Sequence, residues 1–162
     1  ALMSFVSLPP TAEIEQPATA EQPVINDGFF PDVDPVAVRD DARIPPSITP
    51  ARLRAAILGA IMTAGNDLAA YAAARKAEGN ASLASVPAEQ LDGQSVQLIR
   101  YRRAVALYAK AELVERHRDF DTTAAGNSQG EDLTASIGDL RRDAMHAVRD
   151  ILGKPRTTVD LI

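Results

Sequence analysis

Apolar residues recur at every third or fourth position through three long stretches of this sequence, and no other feature restricts the fold so strongly. This spacing places the apolar side chains on one face of an α-helix, because a helix turns once in about 3.6 residues. The pattern predicts helices over residues 50–78 and 93–120, and a third helix that ends at Gly153. The periodic positions are Leu53, Ile57, Ile61, Ala64, Leu68 and Tyr71, then Val96, Ile99, Tyr101, Val105, Tyr108 and Leu113, then Leu133, Ile137, Leu140, Ala144, Val148 and Ile151.

Residues at the predicted helix starts have the chemistry of helix caps. Thr49 precedes Pro50, and Asp92 precedes the second helix. Hydroxyl and carboxylate side chains accept hydrogen bonds from the unpaired N–H groups of a first turn, and proline is favoured at the first helical position. Ser128, with Glu131 three residues later, predicts a capping box for the third helix.

The fold class that follows is all-α: a small bundle of three long helices plus a short N-terminal helix, with an extended N-terminal arm and an extended C-terminal tail. Asp34 and Pro35 predict the start of the short helix. We assign residues 1–33 to a Pro-rich acidic arm, residues 34–153 to the helical bundle domain and residues 154–162 to the tail. No pair of strands is predicted.

The composition suits helices that pack closely, because 46% of the residues are apolar but only 4% are aromatic, and many of the apolar residues are Ala. There is no cysteine, which excludes disulfides and Cys-ligated metal sites. The longest apolar run, residues 55–62, is far shorter than a bilayer span, and the first ten residues lack the basic start of a signal peptide. We therefore expect a soluble chain that does not enter a membrane.

The negative charge is concentrated in the N-terminal part of the chain. Residues 1–48 hold eight acidic residues against two arginines, a net charge of −6. Residues 49–162 hold 14 acidic against 15 basic residues, a net charge of +1. A dedicated nucleic-acid-binding protein usually has a strongly basic domain or stripe, which this distribution does not provide.

No arrangement of residues in the sequence predicts catalysis, a metal site or a cofactor. The two histidines, His117 and His146, lie on different predicted helices beside charged residues, which is typical of surface positions. Residues 119–132 resemble a calcium-binding loop, but Ala124 occupies the place that requires Gly, and Gly130 the place that requires Glu. We predict no enzyme activity and no cofactor.

The two ends of the chain are the best candidates for contacts with other proteins. Phe29 and Phe30 are adjacent aromatic residues in a segment that cannot build its own core, and aromatic residues are frequent at the centres of interfaces. Folding back of these two rings onto the chain's own bundle is indicated nearly as strongly, and both placements can hold at once. The predicted partner-interface residues are Phe29, Phe30, Pro31, Asp32, Asp34, Pro155, Arg156, Val159, Leu161 and Ile162.

Arg100, Arg102 and Arg103 form the most basic cluster of the second long helix. They predict contacts either with DNA or with another subunit. An alternative function, a helical DNA-binding or regulatory protein, would use these three residues to contact phosphates.

Five segments of the sequence resemble the head completion protein, protein L, of contractile-tailed temperate phages of the peduovirus type. They are VINDGFFPDVDP (24–35), TPARLRAAI (49–57), ASVPAEQLDGQS (84–95), YRRAVALYAKAELVERHRDFD (101–121) and DILGKPRTTV (150–159). The resemblance follows the chain in order from about residue 22 to its end, and it brings no catalytic residues with it.

The resemblance implies a structural protein of the phage neck. As a ring of about twelve copies below the portal protein, it would retain the packaged double-stranded DNA and give the tail-side neck proteins a platform for attachment. DNA would pass through its channel without sequence-specific binding. The implied location is the head–tail neck of the virion, and the host cytoplasm during assembly.

Overall fold

The computed structural model describes residues 21–121 and 136–155. Five α-helices dominate this part of the chain: α1 (Pro35–Ala42), α2 (Pro50–Asp67), α3 (Ala69–Ala77), α4 (Val96–Asp121) and α5 (Ile137–Ile151). A short 3₁₀ turn (Leu83–Ser85) and a hairpin of two strands, β1 (Gln90–Leu91) and β2 (Gln94–Ser95), connect α3 to α4. The mainly α-helical class predicted from the sequence is confirmed.

Helix α4 lies at the centre of the described bundle. It packs extensively against α5 and α2, and less extensively against α1. Its buried face carries Tyr101, Ala104, Val105 and Ala109, and the small side chains allow neighbouring helices to approach closely. The core continues into α2 through residues at the predicted periodic positions, of which Leu53, Ile57, Ala64 and Leu68 are buried.

The first long helix is interrupted, where the sequence predicts one helix over residues 50–78. Leu68 leaves helical geometry, with φ −100° and ψ 3°, and separates α2 from α3. Hydrogen bonds of the α-helical type continue across the interruption, since Leu68 N–H donates to the Ala64 carbonyl and Ala72 N–H donates to the Leu68 carbonyl. The Leu68 side chain is fully buried, so the apolar face of the helix stays in the core through the interruption.

The hairpin corrects two predictions: that no strands pair, and that Asp92 caps a helix beginning at residue 93. Asp92 and Gly93 both have positive φ, 49° and 70°, and form the two-residue turn between β1 and β2. Positive φ at both central positions belongs to the tight turns that join antiparallel strands. Helix α4 therefore starts only at Val96, after the hairpin.

Two of the predicted helix caps, at α1 and α2, are confirmed. The Asp34 carboxylate accepts a hydrogen bond from Val36 N–H at 2.9 Å, and the Thr49 hydroxyl accepts one from Arg52 N–H at 3.3 Å. Gly153 has φ 66° just after α5, as expected of a helix stop. The Ser128–Glu131 capping box predicted for the third helix lies outside the described residues, and α5 itself begins at Ile137, where the Ser136 hydroxyl accepts a hydrogen bond from Asp139 N–H at 3.1 Å.

The N-terminal side of α1 is part of the folded body. Val24 and Val33 form an antiparallel bridge with backbone hydrogen bonds of 2.8 and 3.0 Å, and both side chains are buried. Of the predicted arm, residues 1–33, the first 20 residues lie outside the described part. Among the helices that the structure describes, none combines the length and apolar character that crossing a bilayer requires.

Candidate partner interface

The turn before Phe29 and Phe30 is shaped by a single carboxylate. One oxygen of Asp27 accepts hydrogen bonds from the backbone N–H groups of Phe29 and Phe30, at 3.0 and 2.9 Å. Gly28, between Asp27 and Phe29, has φ 90°, a conformation that residues with a Cβ rarely adopt. The Asp27-Gly28 pair therefore directs both aromatic rings to the same side of the backbone, toward the bundle.

The two rings enter the core of the same chain. Phe29 and Phe30 meet edge to face, with ring centroids 5.1 Å apart, and Phe30 stacks on Tyr101 of α4 at 4.8 Å and 8°. Phe29 is 1% exposed and Phe30 is 5% exposed. The Phe29 carbonyl accepts a hydrogen bond from Leu83 N–H at 2.8 Å, and the Lys76 ammonium lies 5.2 Å from the Phe29 ring centre.

This placement corresponds to the second alternative for the aromatic pair, folding back onto the chain's own bundle. In this conformation both rings are buried in the chain's own core and present little surface to a partner. Pro31 is half-buried beside them, whereas Asp32 and Asp34 are exposed.

Hydrogen bonds and a salt bridge hold residues 21–34 to the helices at two further points. The Asn26 side-chain amide donates to the Tyr101 hydroxyl oxygen at 2.8 Å and to the Pro31 carbonyl at 3.1 Å. At the start of the segment, the Arg39 guanidinium forms a salt bridge with the Glu21 carboxylate and donates to the Ile48 carbonyl at 2.8 Å. These contacts hold residues 21–34 against α1, α2 and α4.

Burial raises the pKa of Tyr101 to about 12; the hydrogen bond from Asn26 opposes this shift, and the nearby Asp27 charge adds to it. Because the folded-state pKa lies above the ordinary value of 10.0, folding favours the neutral phenol. The stabilisation is complete below pH 10 and is lost as the pH rises toward 12.

We expect Tyr101→Phe to weaken the dependence of stability on pH in the alkaline range. At neutral pH the variant should lose about 1 kcal/mol, because the hydrogen bond with Asn26 is absent. Between pH 10 and pH 12 its free energy of unfolding should fall less steeply than that of the parent chain. Urea unfolding at several alkaline pH values measures both slopes, and identical slopes would contradict the burial-induced shift. Burial also raises the pKa of Tyr108 to about 12, but this residue is present in both proteins and so does not account for a difference between their slopes.

The outward face of α2 and α3 almost lacks charge. Between Ala55 and Ala74 the sequence contains one charged residue, Asp67, although nearly half of these positions are exposed. Met62 is 64% exposed and Leu58 is 44% exposed. Solvent-facing helix positions usually carry charged residues, and depletion of charge is typical of the central part of an interface. We call these exposed positions the uncharged face: Ala55, Leu58, Met62, Thr63, Asn66, Ala69, Ala70, Ala73 and Ala74.

A groove of about 530 Å³ opens along the edge of this uncharged face. Asn26, Asp27 and Phe30 form one wall. The other wall comes from α2 and α3 and includes Ile61, Met62, Gly65, Asn66, Ala69, Ala72 and Ala73, with Lys76 also on the lining. At Gly65 the groove is open, because no atom lies within 4 Å of the position that a Cβ would occupy there. The sequence signal for this site is the missing charge between Ala55 and Ala74, which the apolar periodicity alone does not reveal.

The three arginines predicted to contact DNA or another subunit are not one surface patch. Arg100 is half-buried and donates to the Gln97 side chain and to the Asp150 carbonyl of α5, both at 3.3 Å. Arg102 is exposed and donates to the Gln94 side chain at 2.7 Å. Arg103 is exposed beside it. Arg100 thus links α4 to α5 within the chain, and two of the three side chains face solvent.

The remaining predicted site residues lie at the C-terminal end. Pro155 is exposed, and its carbonyl accepts a hydrogen bond from Arg149 at 2.7 Å. Arg156, Val159, Leu161 and Ile162 lie outside the described residues, as does the side chain of His117. His146 is half-buried on α5. In the part of the chain that the structure describes, no cluster of three His, Asp or Glu side chains could hold a metal ion.

Comparison with known proteins assigns this helical body to a class of phage structural proteins. A family model described as phage head completion protein (GPL) matches residues 24–162. The head completion/stabilization protein of Escherichia phage P2 is 40% identical over 152 residues, which cover 94% of this chain and 90% of that protein. The probable head completion/stabilization protein of Haemophilus phage HP1 is 27% identical over 140 residues, covering 86% and 91%. No solved structure matches the chain significantly.

The chain belongs to the phage head completion protein (GPL) family. The resemblance to head completion proteins of the peduovirus type, noted in the sequence, is confirmed.

Proposed function

We propose that this protein is a structural adaptor in the neck of a tailed phage, where about twelve copies form a closed ring below the portal protein. The ring retains the packaged double-stranded DNA, which passes through its channel without sequence-specific binding. It also provides the platform to which tail-side neck proteins attach. The observation that carries the proposal is membership of the head completion family over residues 24–162.

The chemistry of the described residues supports a structural role. Within them, the ionisable side chains pair at the surface, as Arg75 does with Glu78 and Arg142 with Asp139. Such pairs keep helices soluble and do no chemistry. Residues 49–162 carry a net charge of only +1, which suits a channel through which DNA must slide, because fewer phosphate contacts retain DNA less strongly.

In this proposal the C-terminal tail contacts the portal or a tail-side protein. The contacts are assigned to Pro155, Arg156, Val159, Leu161 and Ile162, which follow α5 in the chain. Arg102 and Arg103 face solvent and are available to the channel or to a neighbouring subunit. The protein would be located in the virion neck, and in the host cytoplasm while particles assemble.

Truncation after Gly153 tests the proposed tail contact. We expect the shortened chain to keep the helix content and thermal midpoint of the parent, because the described core ends at Ile151. In a phage that lacks its own copy of the gene, the truncated protein should fail to restore DNA-filled, tailed particles. Counts of full heads and tailed particles by electron microscopy measure this. The full-length chain is the control, and full restoration by the truncated chain would reject the tail contact.

A further inference from the structure

The groove beside the uncharged face is built for an apolar segment of chain. Its walls combine the Phe30 ring with Ile61, Met62 and small side chains at Ala69 and Ala73. An exposed apolar surface of this kind usually contacts another chain or another segment of the same chain.

We propose that this groove binds residues 2–8 of a neighbouring copy of the chain. The inference rests on the proposed ring, and adds how adjacent subunits are joined. The segment reads LMSFVSL: five of its seven side chains are apolar, two are serines and none is charged. It therefore matches a groove whose helical wall has no charged residue before Lys76. The other apolar stretch outside the described residues, VDLI at 159–162, is shorter and carries Asp160.

The position of Glu21 favours a neighbouring copy over the chain's own groove. Arg39 binds Glu21 together with the Pro45 and Ile48 carbonyls, which lie just before α2. Arg54, in the second turn of α2, donates to the Gln22 carbonyl at 2.9 Å. From there the chain runs forward to Asn26 at the groove. Glu21 thus lies by the N-terminal end of α2, so a segment that precedes it would reach its own groove only by reversing the direction in which residues 21–26 run.

The length of the connecting segment is sufficient to reach a neighbour. Residues 9–20 separate the apolar segment from Glu21, and twelve residues span at most about 40 Å when extended. An α-helix with its side chains is about 10–12 Å wide, so this reach exceeds the width of a bundle of three helices.

Engineered cysteines test the inference directly, because the chain has none of its own. Phe5→Cys and Met62→Cys would be made in separate copies and supplied together to a phage that lacks its own gene. Purified particles would then be oxidised and analysed without reductant for a cross-linked species of twice the chain mass. The control pairs Phe5→Cys with Met145→Cys, because Met145 is 52% exposed on α5, away from the groove.

We expect the Phe5–Met62 pair to cross-link several-fold more than the Phe5–Met145 pair. Equal yields, or no cross-link in particles that contain the protein, would overturn the inference while leaving the ring proposal intact. The inference would also be overturned if a chain carrying both Phe5→Cys and Met62→Cys formed the cross-link only within itself. It would be overturned as well if Met62→Cys chains cross-linked to each other in preference to Phe5→Cys chains. Absence of the parent protein from particles would instead reject the proposed function.

Discussion

Phe30→Ala is expected to lower the free energy of unfolding by about 3–5 kcal/mol, the usual cost of removing a buried phenylalanine. The Phe30 ring is 5% exposed and stacks on Tyr101 while it meets Phe29 edge to face. Its loss leaves a cavity between the N-terminal segment and α4, and removes both aromatic contacts. Since domains of this size are stable by only about 5–15 kcal/mol, the variant should be visibly less stable.

Urea unfolding followed by circular dichroism measures this effect. The control is Met145→Ala, because Met145 is 52% exposed on α5 and its truncation should change stability by less than about 0.5 kcal/mol. If Phe30→Ala unfolded at the same urea concentration as Met145→Ala, the ring would not be part of the chain's own core. It would then be available to a partner, the other alternative that the sequence leaves open.

Met62→Glu is expected to prevent assembly without unfolding the chain. Met62 lies at the centre of the uncharged face and lines the groove, and its 64% exposure means that the isolated chain accepts a charge there at little cost. Once a neighbouring segment covers the groove, the carboxylate would be withdrawn from water among mainly apolar side chains, which costs several kcal/mol per contact. Repeated around a ring, this should reduce the yield of infectious particles by about a hundred-fold or more.

Met145→Glu is the matched control, since it adds the same charge at another exposed methionine. We expect it to support particle formation as the parent chain does. Complementation titres measure both variants, and thermal unfolding of the purified proteins verifies that each is folded. Normal titres from Met62→Glu would exclude the uncharged face from the assembly.

Much of the helical framework could be predicted because its causes are local. The apolar period of α2, α4 and α5 follows from one face being buried, whatever that face contacts. The caps at Asp34 and Thr49 act on N–H groups two or three residues away, so their residue types identify them directly.

Features with non-local or weaker causes could not be predicted in the same way. The interruption at Leu68 follows from packing, since leucine itself favours a helix and the residue is fully buried. The hairpin has strands of only two residues, too short for an alternating pattern. Its one local signal was the Asp92-Gly93 pair, which is typical of tight hairpin turns.

The aromatic pair and the uncharged face also differ in how far the sequence alone could predict them. Whether Phe29 and Phe30 face their own chain or a partner depends on Tyr101, some 70 residues later in the sequence, so neighbouring residues cannot decide it. The uncharged face, by contrast, has a signal within the sequence: one charged residue between Ala55 and Ala74. Its meaning becomes clear only when the structure identifies which of those positions are exposed.

Electron cryomicroscopy of the virion neck tests the central claim most directly. Particles would be prepared with the full-length chain and, for comparison, from a phage that lacks the gene. The account predicts a closed ring of about twelve copies between portal and tail in the first sample, with a segment of each copy seated beside α2 of the next. The same neck density in particles made without this chain would contradict it.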